Sequence, residues 1–117
     1  GTRCASITGG YIALALALKK AGLERALTNK IAAISVGFVE GQALLDLEYR
    51  EDSSAEVDFN VIGTDAGTYV ELQGTAEGKP FDRAQTTRLL DLADAGLTKL
   101  FEIQDAVLAG EAAKAQA

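Results

Sequence analysis

Residues Ile31–Val39, IAAISVGFV, form an apolar run with no polar face. A strand that reads this way is covered on both sides, so it belongs at the centre of a sheet. Working outward, Glu40-Gly41 is a turn signal, after which Leu45, Leu47 and Tyr49 alternate with Asp46, Glu48 and Arg50. That alternation predicts a second strand with one wet face. Val57–Gly63 reads as a third strand, Asp65-Ala66-Gly67 as a hairpin turn and Tyr69–Gly74 as a fourth strand, the set predicting an antiparallel meander.

Two helices flank these strands. Upstream, Tyr11, Leu14, Ala15 and Leu18 follow helical spacing from about Ile7 to Lys20, with a start near Ser6 and a stop at Lys19, Lys20 and Gly22. Downstream, Gly74–Pro80 breaks the sheet. Asp82 and Gln85 have capping-box spacing, Phe81 and Thr86 stand where a hydrophobic staple would, and a helix should begin at about Arg83. Its apolar stripe, Leu89, Leu92, Ala93, Leu97, Leu100, Phe101, Ile103, Val107 and Leu108, is broad enough to meet both the sheet and a neighbour. Residues Ala109–Ala117 are expected to fray. The pattern is that of one α+β domain with a mainly antiparallel four-stranded sheet and no internal repeat.

Asp58 is the residue that this pattern does not explain. It lies between Val57 and Phe59, and strand alternation sends Val57, Phe59 and Val61 to one face and Asp58, Asn60 and Ile62 to the other. Before it come five acids, Asp46, Glu48, Glu51, Asp52 and Glu56. On a straight strand Asp52 and Asp58 would stand about 20 Å apart, six steps of roughly 3.3 Å. The segment Glu51-Asp52-Ser53-Ser54-Ala55 is turn-prone, so a fold-back there would bring the two carboxylates together. Such a pair stays ionised beside a hard cation such as Mg²⁺ or strong hydrogen-bond donors, a setting suited to phosphate chemistry. The same composition also suits a solvated acidic loop, for which only Asp58 is out of place.

Composition narrows the function. The 117 residues are 48% apolar, enough for one domain with its own core. Histidine is absent, which excludes histidine acid–base catalysis, a Ser-His dyad and His-ligated zinc. The single Cys4 forms no internal disulfide. There is no apolar run of membrane-spanning length and no signal-peptide pattern, so the chain reads as soluble and cytoplasmic, with no membrane partner. A net charge of −6, with 11 scattered basic residues, does not suit a general nucleic-acid binder acting alone. The chain opens at Gly1 without methionine, inside what reads as a motif, and is expected to be part of a longer polypeptide. That opening, Gly1-Thr2-Arg3-Cys4-Ala5-Ser6, has the parts of an oxyanion cradle: a threonine hydroxyl, an arginine fork, a following helix N-terminus, and Gly9 and Gly10 to permit close approach. An ordinary exposed arginine at a ragged terminus would read the same way.

Four segments in one order, GTRCASITG, IAAISVGFVEG, LLDLEYREDSSAEVDFNV and ELQGTAEGKPF, resemble the second half of the bacterial ribonuclease PH family, from Gly1 to about Leu108. The resemblance implies a ribonuclease PH-like α+β fold with the helices packed on one face of the sheet. It implies a phosphorolytic 3′→5′ exoribonuclease, a nucleotidyltransferase that trims the 3′ ends of tRNA precursors and takes part in rRNA processing. Inorganic phosphate would attack the terminal phosphodiester and a nucleoside diphosphate would leave. Gly1, Thr2 and Arg3 would hold the phosphate, and Asp52 and Asp58 would be the catalytic carboxylates that place Mg²⁺. Glu48, Glu51 and Glu56 would remain solvated or structural acids. Cys4 stands where the family often has threonine, and the link before Ile31 is shorter than usual. Family members also carry a first half of similar size, which supplies a further phosphate-binding arginine and much of the RNA-binding surface, and they assemble as hexameric rings. The 117-residue chain is therefore expected to be inert alone and active when paired with its own N-terminal half. A non-catalytic ring subunit is the alternative; it would have no need of Arg3, Asp52 and Asp58 together. A hydrolytic nuclease would have no need of a phosphate cradle.

Overall fold

A computed structural model of the chain describes residues 2–23, 29–45 and 56–116, the side chains of residue 2 and of residues 111–116 excepted. The elements run α1 (Thr2–Lys20), β1 (Ile31–Val39), β2 (Gln42–Leu45), β3 (Val57–Thr64), β4 (Tyr69–Ala76) and α2 (Arg83–Gln116). The strands form one antiparallel sheet in the order β2-β1-β3-β4. β1 is buried from Ala32 to Phe38, as its composition requires. This order differs from the expected meander, in which β2 would separate β1 from β3. An apolar strand needs a partner on each edge, and a β2 of four residues covers one edge while the eight-residue β3 covers the other.

Local chemistry sets the turns. Val39 pairs with Gln42, leaving Glu40 and Gly41 as a two-residue loop with φ of 53° and 77°. Positive φ at both central positions marks the turn whose twist matches a right-twisted hairpin. β3 and β4 are joined through Asp65-Ala66-Gly67, where Thr64 N–H donates to the Thr68 carbonyl at 2.9 Å and Gly67 has φ of 80°. The expected continuation of the second strand through Leu47 and Tyr49 lies outside the described residues.

The capping box is present as read. Asp82 N–H donates to Gln85 Oε1 at 2.9 Å, and Gln85 N–H donates to Asp82 Oδ1 at 2.8 Å. Phe81 leans into the core, edge-on to Phe59 with ring centres 6.2 Å apart, and the Thr86 hydroxyl donates to the Asp82 carbonyl. The helix that follows continues to Gln116, beyond the expected onset of fraying at Ala109. The first helix also exceeds its expected bounds, beginning at Thr2 and not near Ser6. No residue from Thr2 to Ser6 opposes helix strongly enough to delay it.

The helices lie against opposite faces of the sheet, which corrects the expectation of one shared face. Ala32, Ile34, Val36 and Phe38 of β1 and Val57, Phe59 and Val61 of β3 pack with Leu89, Ala93 and Leu97, one side of α2. Residues of the other parity, Ala33 and Ile62, pack with Cys4 and Ile7 of α1. The physical reason is that β1 is apolar on both parities, so each face needs a cover. α1 also closes the β1 edge that β2 does not reach. The Thr8 hydroxyl accepts from Ala33 N–H at 3.1 Å and donates to the Ala33 carbonyl at 3.3 Å.

α2 ties this corner together. The fully buried Gln104 amide donates to the Thr8 and Ile31 carbonyls at 3.0 and 2.9 Å. Lys30 and Asp105 form an ion pair beside it, and that hydrogen bond holds the Lys30 ammonium above the usual lysine range.

Gly74 shows how tightly the core face is filled. A Cβ there would lie 2.4 and 2.5 Å from two Phe59 ring carbons and 3.1 Å from Phe81. Aromatic rings cannot bend away, so Gly74→Ala should cost about 1–3 kcal/mol through overpacking. Urea unfolding should show a lower midpoint with an unchanged slope, and an unchanged midpoint would contradict it.

Candidate active site

The face under α1 is where the polar strand residues collect. The register sets Ile62 opposite Glu71, Asn60 opposite Gln73, and Asp58 opposite Thr75, with Ser35 and Gly37 of β1 beside Asn60 and Asp58. Because alternate residues share a face, Asp58, Asn60, Glu71, Gln73 and Thr75 form one polar strip on the side away from the Phe38–Leu89 core.

α1 lies over one end of this strip. Its first turn aims Arg3 across β3 to β4, where Nη2 donates to Glu71 Oε2 at 2.5 Å and Nη1 approaches Gln73 Oε1 at 3.4 Å. Cys4, one residue on, is buried beside Asn60, with Sγ 3.8 Å from Oδ1. Since α1 begins at Thr2, the N–H groups left over at its N-terminus belong to Thr2, Arg3 and the residues just after them. Gly9 and Gly10 stand well inside the helix, so they do not form the helix-terminal cradle expected of them. The reason is the early helix start.

Asp58 stands one pair further along the strip. It is half-buried, and a two-residue repeat sets it roughly 7 Å along β3 from Asn60. The structure therefore brings Arg3 and Asp58 to one face of one sheet, on neighbouring rungs. Asp52, Glu48, Glu51, Gly1 and the Thr2 side chain lie outside what is described, so the expected approach of Asp52 to Asp58 is not part of this geometry. Glu56 is exposed, as expected of a solvated acid. Among the described residues, no three potential ligands gather as a ready-made metal site.

Sequence reading missed Glu71 and Gln73. Their signal was available: the turn at residues 65–67 fixes the pairing of β4 with β3 and hence places the polar residues of β4 on the Asp58 face. Gln104 was missed too, because an amide inside an apolar helical stripe gives no sign of which carbonyls it will meet.

Residues 29–96 match the family described as the 3′ exoribonuclease family, domain 2. The chain belongs to this family. The family region runs from the approach to β1 into the middle of α2, so it contains Asp58, Glu71 and Gln73, while Arg3 lies before it. Two curated relatives extend the likeness. Ribonuclease PH of Synechococcus sp. (strain CC9605) is 53% identical over 109 residues, covering 89% of this chain and 44% of the relative. Ribonuclease PH of Frankia casuarinae (strain DSM 45818 / CECT 9043 / HFP020203 / CcI3) is 51% identical over 110 residues, covering 94% of this chain and 44% of the relative. The resemblance to ribonuclease PH thus holds over most of the chain, and the chain spans less than half the length of these relatives. Among the described residues no helix is long and apolar enough to cross a membrane.

Proposed function

We propose that the chain carries half of the active site of a phosphate-dependent 3′→5′ exoribonuclease that acts in the cytoplasm on the 3′ ends of tRNA precursors and in rRNA processing. The single observation that supports this best is the placement of Arg3 and Asp58 on neighbouring rungs of one polar strip, beside the N-terminus of α1. Phosphate and phosphodiester are both anions, so a nucleophilic phosphate has to be held against its own repulsion. In this reading Gly1, Thr2 and Arg3 hold it, the arginine as a planar fork and the helix terminus through backbone N–H groups. Asp58, with Asp52, orients the terminal nucleotide for in-line attack.

Mg²⁺ suits this site chemically. The ion is commonly held by one or two carboxylates together with substrate phosphates, and Asp58 and Asp52 would be those carboxylates. When bound, it would neutralise charge on the phosphoryl oxygens. The reading also assigns the chain its partners: RNA, inorganic phosphate, an amino-terminal half like that of its relatives, and copies of itself in a hexameric ring. The net charge of −6 fits an RNA-binding surface supplied largely by the other half.

The test is phosphorolysis of a 3′-extended tRNA with labelled inorganic phosphate. The chain alone should release no nucleoside diphosphate. Paired with the amino-terminal half, it should release labelled diphosphates. Robust turnover by the chain alone would refute the half-site reading, and nucleoside monophosphates as product would refute phosphorolysis.

A further inference from the structure

The contact that Arg3 makes is with a residue no functional reading has assigned. Its guanidinium reaches from the first turn of α1 to Glu71 and Gln73 at successive same-face positions of β4, the outer strand of the sheet. From this geometry we infer that Glu71 is a positioning residue that aims Arg3 at the incoming phosphate, a role that rests on the phosphorolytic reading above.

Two physical effects compete at such a contact. Glu71 could repel a phosphate approaching the same arginine, or it could fix the arginine so that its remaining donors are already placed. The pair is open to water, with side-chain exposures of 51% for Arg3 and 40% for Glu71, so repulsion over more than a contact distance is heavily screened. Fixing is not screened in this way, because it acts through the direct hydrogen bond. Without an anchor, a long arginine near a helix terminus samples many rotamers, and each loses the phosphate geometry.

The donor count allows both partners at once. A guanidinium has five N–H groups, and the contacts to Glu71 and Gln73 draw on one from each terminal nitrogen. The remaining N–H groups, including that on Nε, stay available for a second anion. The anchor also sets reach: Glu71 and Gln73 hold the arginine head over the Ile62 and Asn60 rungs, next to the Asp58 rung and not on it. A phosphate on the free side of the fork would then lie between the arginine and the carboxylate without either pair closing on the other.

The experiment measures KM for inorganic phosphate and kcat on the chain paired with its amino-terminal half, for the parent, Glu71→Ala, Glu71→Gln, Arg3→Ala and the Arg3→Ala/Glu71→Ala double variant. Glu71→Ala should raise KM for phosphate about tenfold, equivalent to about 1.4 kcal/mol, with kcat within about twofold of the parent. Glu71→Gln keeps an acceptor at the same place and should recover most of that loss. In the Arg3→Ala background the Glu71 substitution should change nothing further, since there is no fork left to aim. An unchanged or lowered KM in Glu71→Ala, or additive losses in the double variant, would overturn the inference. A parent that makes no nucleoside diphosphate, or an Arg3→Ala variant with unaltered KM, would remove the phosphorolytic reading itself and this inference with it.

Discussion

Asp58→Asn should abolish phosphorolysis, lowering kcat by at least about 10³-fold, while leaving the sheet folded. Asparagine keeps the size and planar shape of the side chain but loses the charge and gains two donors. It can neither hold a cation in the same way nor oppose the arginine electrostatically. Folding should survive because what fixes this part of β3 is on the other parity. Val57 and Phe59 are buried in the core, and the backbone pairs with both Gly37 and Thr75. Circular dichroism and thermal melting of the variant should match the parent, and single-turnover phosphorolysis by the paired chain should be lost. Near-normal turnover would mean that Asp58 has been given the wrong role.

Phe38→Ala should have the largest effect on stability, a loss of about 3–5 kcal/mol. The ring is 2% exposed and belongs to the cluster that joins β1, β3 and α2. It also lies 5.4 Å below the Arg88 guanidinium, a contact that contributes about 0.5–1 kcal/mol at an exposed arginine. A domain of this size has about 5–15 kcal/mol in total, so the variant would sit near its folding threshold. Urea titration gives the value directly. A loss below about 1 kcal/mol would mean that the neighbouring Ala43 and Leu45 collapse into the space more completely than rigid packing allows.

What could be read from the sequence divides along physical lines. Period and turn chemistry are local, so β1, β3, β4, the Glu40-Gly41 turn and the Asp82–Gln85 cap were legible almost to the residue. Strand order and helix placement are not local. The apolar run of β1 said that both faces needed covering, but not which helix would cover which, and the two-residue hairpin hid the fact that β3 returns to the far edge of β1. The start of α1 was misplaced by four residues because Ser6 is a favoured residue type just before a helix, whereas the helix already begins at Thr2. In the site, Asp58 stood out because a carboxylate inside an apolar strand is costly without a purpose. Glu71 did not stand out. A charged residue on an outer strand is ordinary, and only the fold reveals that Arg3, 68 positions earlier in the chain, ends beside it.

The two faces of β3 divide labour within one strand: its odd positions Val57, Phe59 and Val61 build the core under α2, and its even positions Asp58, Asn60 and Ile62 lie on the α1 face. Losing one amino acid between Val57 and Asn60 would therefore do more than shorten a ladder. Every later side chain of the strand would roll over, bringing charge toward oil and rings toward water. Deletions there should be far less tolerated than substitutions, and an evolving lineage can vary either parity only while the count between them stays fixed.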